Sequence, residues 1–237
     1  VSTKLTELQY YAIRKRTLQA GVPLSNYIRQ AAYYGVNMLL TPLFTPPIDT
    51  ARGEERPTVQ LVDIYYSKDG YSFDFSKLER YIKIALDCGI KYFEFPHLFT
   101  QWGSEHAPKI IVTENGRSYR RFGWETNADS AEYAEFLQSF LPAVKSFMKE
   151  KQLLDNCLFH ISDEPDEKHI ESYRKAVQTV LPLLNGCKTI DALSEYSFYS
   201  EGLVETPVPD NEHAEEFYHK GVSERWVYYC CGQLNRV

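Results

Sequence analysis

The sequence predicts an α/β fold: an incomplete (β/α)8, TIM-like barrel with about five to six core strands and a β-hairpin inserted after the first strand. Three observations carry that reading. Short apolar runs near positions 38, 90, 157, 189 and 227 alternate with longer amphipathic stretches, which is the pattern of parallel strands joined by helices. Right-handed crossovers curl such a series toward a barrel. Ser67-Lys68-Asp69-Gly70 separates two aromatic-rich runs, 58–66 and 71–75, as a hairpin turn does. A closed eight-stranded barrel needs about three more units than the sequence supplies.

Taken in order, residues 1–24 read as a polar, helix-prone lead-in ended by Gly21-Val22-Pro23, and residues 25–237 as the barrel domain. Ser25 or Asn26 is placed to cap a helix through Tyr34, with Gly35 as its stop. Residues 37–44 read as a buried strand that Pro42 brings to an edge or exit. A helix follows the hairpin, with apolar Leu78, Ile82 and Leu86, Ser76 as cap and Gly89 as stop. Residues 90–95 form the next strand, with Glu94 on the face opposite Phe93 and Phe95. Residues 97–127 look irregular and far longer than an ordinary connection, as functional loops often are. Residues 130–152 form a long amphipathic helix containing Pro142, and 167–184 another. Residues 188–194 and 225–231 read as strands, 200–210 as loop and 212–219 as a short helix.

The stretch 156–166, N-C-L-F-H-I-S-D-E-P-D, joins fold to chemistry. Its apolar residues make a short strand, and Asp163 and Glu164 fall where that strand runs out, the end at which parallel α/β folds bind ligands. Neighbouring carboxylates favour one protonated and one charged member, the division that acid–base catalysis uses. The alternative is an acidic first turn for the following helix.

The composition narrows the class. Net charge is −6 with no basic block, which argues against nucleic acid and anionic membranes as partners. No apolar run reaches the roughly 20 residues that span a bilayer. The five cysteines include no C-x-x-C pair. They read as free thiols in a reducing, cytoplasmic setting, and no signal peptide is visible. Aromatic residues make up 14% of the chain, as sugar-stacking surfaces and strands both require.

Seven motifs occur in one order: L-L-T-P-L-F-T-P-P (39–47), E-R-P-T-V-Q-L-V-D (55–63), H-L-F-T-Q-W-G (97–103), F-G-W-E-T (122–126), F-H-I-S-D-E-P (159–165), D-A-L-S (191–194) and W-V-Y-Y-C-C-G-Q (226–233). Together they resemble the glycoside hydrolase family 123-like catalytic domain, also catalogued as domain of unknown function 4091. The resemblance implies a (β/α)8 barrel. It also implies a retaining β-N-acetylgalactosaminidase-like activity on terminal N-acetylhexosamine, in which the 2-acetamido group of the substrate is the nucleophile and no cofactor takes part. It makes Glu164 the general acid and base, and Asp163 the group that orients the acetamide and steadies the oxazolinium. Such substrate assistance is a recognised exception to the rule of two separated carboxylates.

Glu94, His97, Gln101, Trp102, Trp124, His160, Asp191 and Tyr228 lie near strand ends or in the long loop and are candidates for the substrate pocket. Each has a structural alternative: an ion pair for Glu94, a satisfied core histidine for His160, loop packing for the tryptophans. His97, His160, Asp163 and Asp191 match no standard metal signature, so no metal is expected. Relatives continue past the final strand, whereas this sequence stops at Val237. The expectation is a truncated barrel whose open edge is covered by a further C-terminal segment or by a second copy. The alternative function is a non-catalytic carbohydrate-binding or structural fragment, and more remotely a metal-dependent barrel enzyme.

Overall fold

The computed structural model describes residues 23–48, 50–224 and 226–229. Apart from Pro23 and Leu24, the 1–24 lead-in lies outside the described residues, as do Cys230 and Cys231. Cys88, Cys157 and Cys187 are free thiols.

Five short strands form one parallel sheet: β1 (Met38–Leu40), β4 (Tyr92–Glu94), β7 (Cys157–Phe159), β8 (Lys188–Ala192) and β9 (Thr206–Val208), in the order β1-β4-β7-β8-β9. Between β1 and β4 come β2 (Asp63–Ser67) and β3 (Gly70–Asp74), the expected hairpin, with Gly70 at φ +96°. Together with β5 (Ile110–Glu114) and β6 (Arg117–Phe122) they build a second sheet, ordered β3-β2-β5-β6. The fold is therefore α/β with two sheets, and no closed barrel is formed among the described residues.

The helices follow their apolar periodicity. They are α1 (Leu24–Tyr33), α2 (Ser76–Asp87), α3 (Ala131–Glu150), α4 (Ile170–Leu184), α5 (Tyr196–Ser200) and α6 (Ala214–His219). The face of α3 carries Tyr133, Phe136, Leu137, Phe140, Leu141 and Val144, all fully buried. Phe136 and Phe140 meet Phe73 of β3, Phe122 of β6 meets Phe136, and Phe44 meets Phe140, so one aromatic cluster ties the second sheet and the segment after β1 to α3. Ser130 caps α3 by accepting from the Tyr133 amide at 3.4 Å.

Several expectations need correction. Ser76 does not cap α2; its own amide and hydroxyl donate to Asp74. Pro23, not Ser25 or Asn26, precedes the first turn of α1. The stretch 97–127 is not wholly irregular, because it holds β5 and β6 around an Asn115-Gly116 turn with φ +50° and +76°. The fifth strand of the parallel sheet comes from 206–208, which was expected to be loop, rather than from 225–231. In that last segment Tyr228 makes only an isolated bridge to Asp210, while Arg225 and Cys230 onward are not described.

Candidate active site

The sheet order sets the site. β7 lies between β4 and β8, so the residue leaving β7, His160, has Glu94 on one flank and Asp191 on the other. His160 is buried, its Nε2 2.6 Å from Glu94 Oε1 and its Nδ1 2.9 Å from Asp191 Oδ1. Asp191 also accepts from the Ile161 amide (3.1 and 3.2 Å), the Ser162 amide (3.4 Å) and the Tyr173 hydroxyl. A buried carboxylate with this many donors is satisfied as an anion. Burial alone depresses the His160 imidazole, but the bonds to Asp191 and Glu94 outweigh it and push it up to about 9. Burial raises the Asp191 carboxyl, and its bond to His160 opposes that rise. His160 is thus an imidazolium clamped between two carboxylates at neutral pH.

His97 lies against this clamp. Its ring centroid is 4.3 Å from that of His160, and its Nε2 is 3.8 Å from Asp163 Oδ1. Neither ring nitrogen has a hydrogen-bond partner among the described residues. Burial, reinforced by the neighbouring His160, drives the imidazole well below its usual range, so His97 stays neutral. It offers Asp163 an uncharged neighbour on a buried floor.

Asp163 and Glu164 follow at the exit of β7. The Asp163 carbonyl accepts from the Trp102 amide at 2.8 Å, and the Glu164 amide donates to the Ala192 carbonyl at 3.0 Å. Two neighbouring strand-end loops therefore hold the pair's backbone. Asp163 is half-buried and Glu164 exposed. Glu164 has φ +44°, a left-handed conformation that costs a non-glycine residue about 1 kcal/mol or more. Such strain persists where surrounding structure fixes it, and it often marks a working side chain. The Tyr228 hydroxyl donates to Glu164 Oε1. Burial, then that carboxylate, keeps the phenol well above its ordinary range.

The expected site residues divide into two groups. Glu94, His97, His160, Asp191 and Tyr228 gather around Asp163 and Glu164 through the contacts above. Trp102 is 49% exposed, and its backbone amide meets the pair. Gln101 is buried, with its amide on the Thr50 carbonyl at 3.2 Å. Trp124 packs down the loop: its Nε1 donates to the Glu54 carbonyl at 2.9 Å and its ring meets His106 at 5.7 Å. These contacts are of the kind that loop packing makes. Tyr173 was missed; it comes from α4, and its place in the helix's apolar periodicity hides a hydroxyl that reaches Asp191.

Donor atoms of His97, His160 and Asp191 lie within 4.8 Å of one another, close enough to consider a cation. The donor chemistry is unfavourable. A ligating imidazole needs a free lone pair, and both nitrogens of His160 are engaged by carboxylates that hold it protonated.

The fold and the strand-end carboxylate pair define an α/β protein with an acidic site at the C-terminal edge of its parallel sheet. The chain belongs to a known family, matching glycoside hydrolase 123, catalytic domain, over residues 20–237. Among solved structures it is similar to a family 123 glycoside hydrolase from Clostridium perfringens, whose description concerns glycolipid glycan hydrolysis. The TM-score is 0.59 at 13% identity, over 90% of this chain and 35% of that one. The chain thus spans about a third of that enzyme's length. No curated protein matches it.

Proposed function

We propose that this chain carries the catalytic pair of a glycoside hydrolase acting on terminal β-linked N-acetylhexosamine, N-acetylgalactosamine above all, and that its parallel sheet is an arc of a (β/α)8 barrel. The observation that supports this most is the Asp163–Glu164 pair at the sheet's C-terminal end. One member is exposed on a strained backbone, the other half-buried beside a neutral histidine and an imidazolium clamp.

In the first step the acetamide oxygen attacks the anomeric carbon, the glycosidic C–O bond breaks, and protonated Glu164 gives its proton to the leaving oxygen. Asp163 accepts from the acetamide N–H and offsets the positive charge of the oxazolinium. In the second step a water attacks the anomeric carbon, Glu164 takes a proton from it, and the acetamide is restored. Two inversions give net retention. Glu94, held in place by the clamped His160, supplies the polar edge that orients the sugar. No enzyme nucleophile is needed, so the two carboxylates can be sequence neighbours.

The test is an electronic one. On aryl β-glycosides of N-acetylgalactosamine and its N-fluoroacetyl analogues, kcat/KM should fall steeply as fluorines are added, because each weakens the acetamide as a nucleophile. An unchanged rate across the series would overturn acetamide participation.

A further inference from the structure

The loop that carries Trp102 to the Asp163 carbonyl has another side. There Ser104, Glu105 and His106 line a cavity of about 420 Å³, closed by Arg52, Asp129 and the α4 residue Lys175. None of the residues placed in the catalytic site lines it. The volume suits a single small ligand, since small-molecule pockets run from about 300 Å³ upward.

Its floor is polar and unsatisfied. Ser104 is completely buried, yet its hydroxyl has no partner among the described residues. His106 is 7% exposed and neither of its ring nitrogens makes a well-formed hydrogen bond among the described residues, although the Thr126 backbone is near enough to act on it. Burial and then the nearby Arg52 lower its imidazole, so at neutral pH it presents one donor and one acceptor. Leaving buried polar atoms unpaired is costly, and native proteins do it sparingly.

The mouth carries both signs of charge. Arg52 and Lys175 donate, Glu105 and Asp129 accept, and none of the four forms an ion pair among the described residues. An anion would gain from two of these groups and be repelled by the other two. A neutral molecule whose hydroxyls both donate and accept matches all of them. The walls are fixed in advance. The Ser172 hydroxyl donates to the Gly103 carbonyl at 2.5 Å, the His106 amide to Thr100 Oγ1 at 3.2 Å, and the Ala128 amide to the Glu105 carbonyl at 2.8 Å. A preorganised cavity of this kind loses little on binding.

We propose that this cavity is an accessory site for one neutral monosaccharide unit, separate from the hydrolytic pair. The choice of a sugar over other polyhydroxylated molecules rests on the proposed glycosidase reading.

Titration calorimetry with galactose and N-acetylgalactosamine, on wild type, Ser104→Ala, Lys175→Met and Glu164→Gln, tests it. Galactose, which lacks the acetamide that the proposed catalytic pair addresses, should bind in the cavity of wild type and of Glu164→Gln alike, since Glu164 does not line it. Lys175→Met and Ser104→Ala should weaken binding by about tenfold, the worth of one hydrogen bond to a charged or buried group. Ser104→Ala should also melt no lower than wild type, because it removes an unpartnered hydroxyl. Binding of neither sugar, or binding lost in Glu164→Gln and retained in the two cavity variants, would overturn the proposal. So would inorganic sulfate competing for the same site, which would make it an anion pocket. A chain that binds sugar here but hydrolyses nothing leaves this site standing while the catalytic reading falls.

Discussion

At the residue scale, the clamp around His160 has a pH signature. The folded-state value of about 9 lies above the ordinary 6.5 of an unfolded histidine. The folded protein therefore holds the extra proton between those values. That stabilisation is complete below about pH 6.5 and is lost as pH rises toward 9. His97 works in the opposite sense: its value lies below the ordinary one, so its contribution is lost as pH falls below about 6.5. Denaturant unfolding followed against pH should show stability greatest near neutrality. His160→Gln should flatten the alkaline side and His97→Gln the acid side. Removing one partner of the clamp is more severe: Asp191→Ala strands a buried imidazolium and should cost roughly 3–5 kcal/mol by urea denaturation.

Tyr228 gives a kinetic prediction at the same scale. Its hydroxyl donates to Glu164 and holds that carboxyl group in one orientation. On the proposed reading, Tyr228→Phe should therefore lower kcat on an aryl N-acetyl-β-galactosaminide by roughly tenfold while KM moves little. An unchanged kcat would separate Tyr228 from the proton-transfer step.

At the element scale, stability concentrates where α3 meets the second sheet. Phe136 is fully buried among Tyr71, Phe73, Phe122 and Phe140. Phe136→Ala should cost about 3–5 kcal/mol in a urea melt, the usual toll of an aromatic-sized cavity. Ser130→Ala removes the α3 cap and should cost about 1 kcal/mol or less, since its bond is long at 3.4 Å. Helices were legible because their apolar spacing reports packing directly; α3 runs 131–150 where periodicity placed 130–152. Strands were legible where apolar residues bracket a polar exit, as at Glu94 and His160. They were missed for three separate reasons. The Asn115-Gly116 turn was a readable hairpin signal passed over inside a long loop. β6, R-S-Y-R-R-F, is an exposed, charged edge strand with little apolar pattern. β9 is only three residues with Pro207 at its centre, which local rules count against a strand; as the last described strand of the sheet, it pairs only with β8.

At the scale of the whole molecule, the strand order does what no single motif can. Glu94, His160 and Asp191 are 66 and 31 positions apart in contact pairs, and only adjacent parallel strands bring them together. The sequence revealed each as a polar residue opposite apolar neighbours, but not which would meet. That is why the proposed pair and the separate residues Glu94, His160 and Asp191 could be singled out from sequence, while their meeting in a clamp, and the part of Tyr173 in it, could not. The same topology puts Glu94, His160, Asp191 and the Asp163–Glu164 pair at the C-terminal ends of adjacent parallel strands, the end at which barrel enzymes bind their ligands.

The central claim is that Glu164 and Asp163 divide the chemistry, and hydrolysis of an aryl N-acetyl-β-galactosaminide by wild type, Glu164→Gln and Asp163→Asn tests it most directly. The account predicts measurable turnover by the wild-type chain and a fall of roughly 100-fold or more in each variant. The loss in Glu164→Gln should shrink when the leaving group is activated enough to depart without a proton. Equal rates in all three proteins, or no turnover by the wild type, would contradict it.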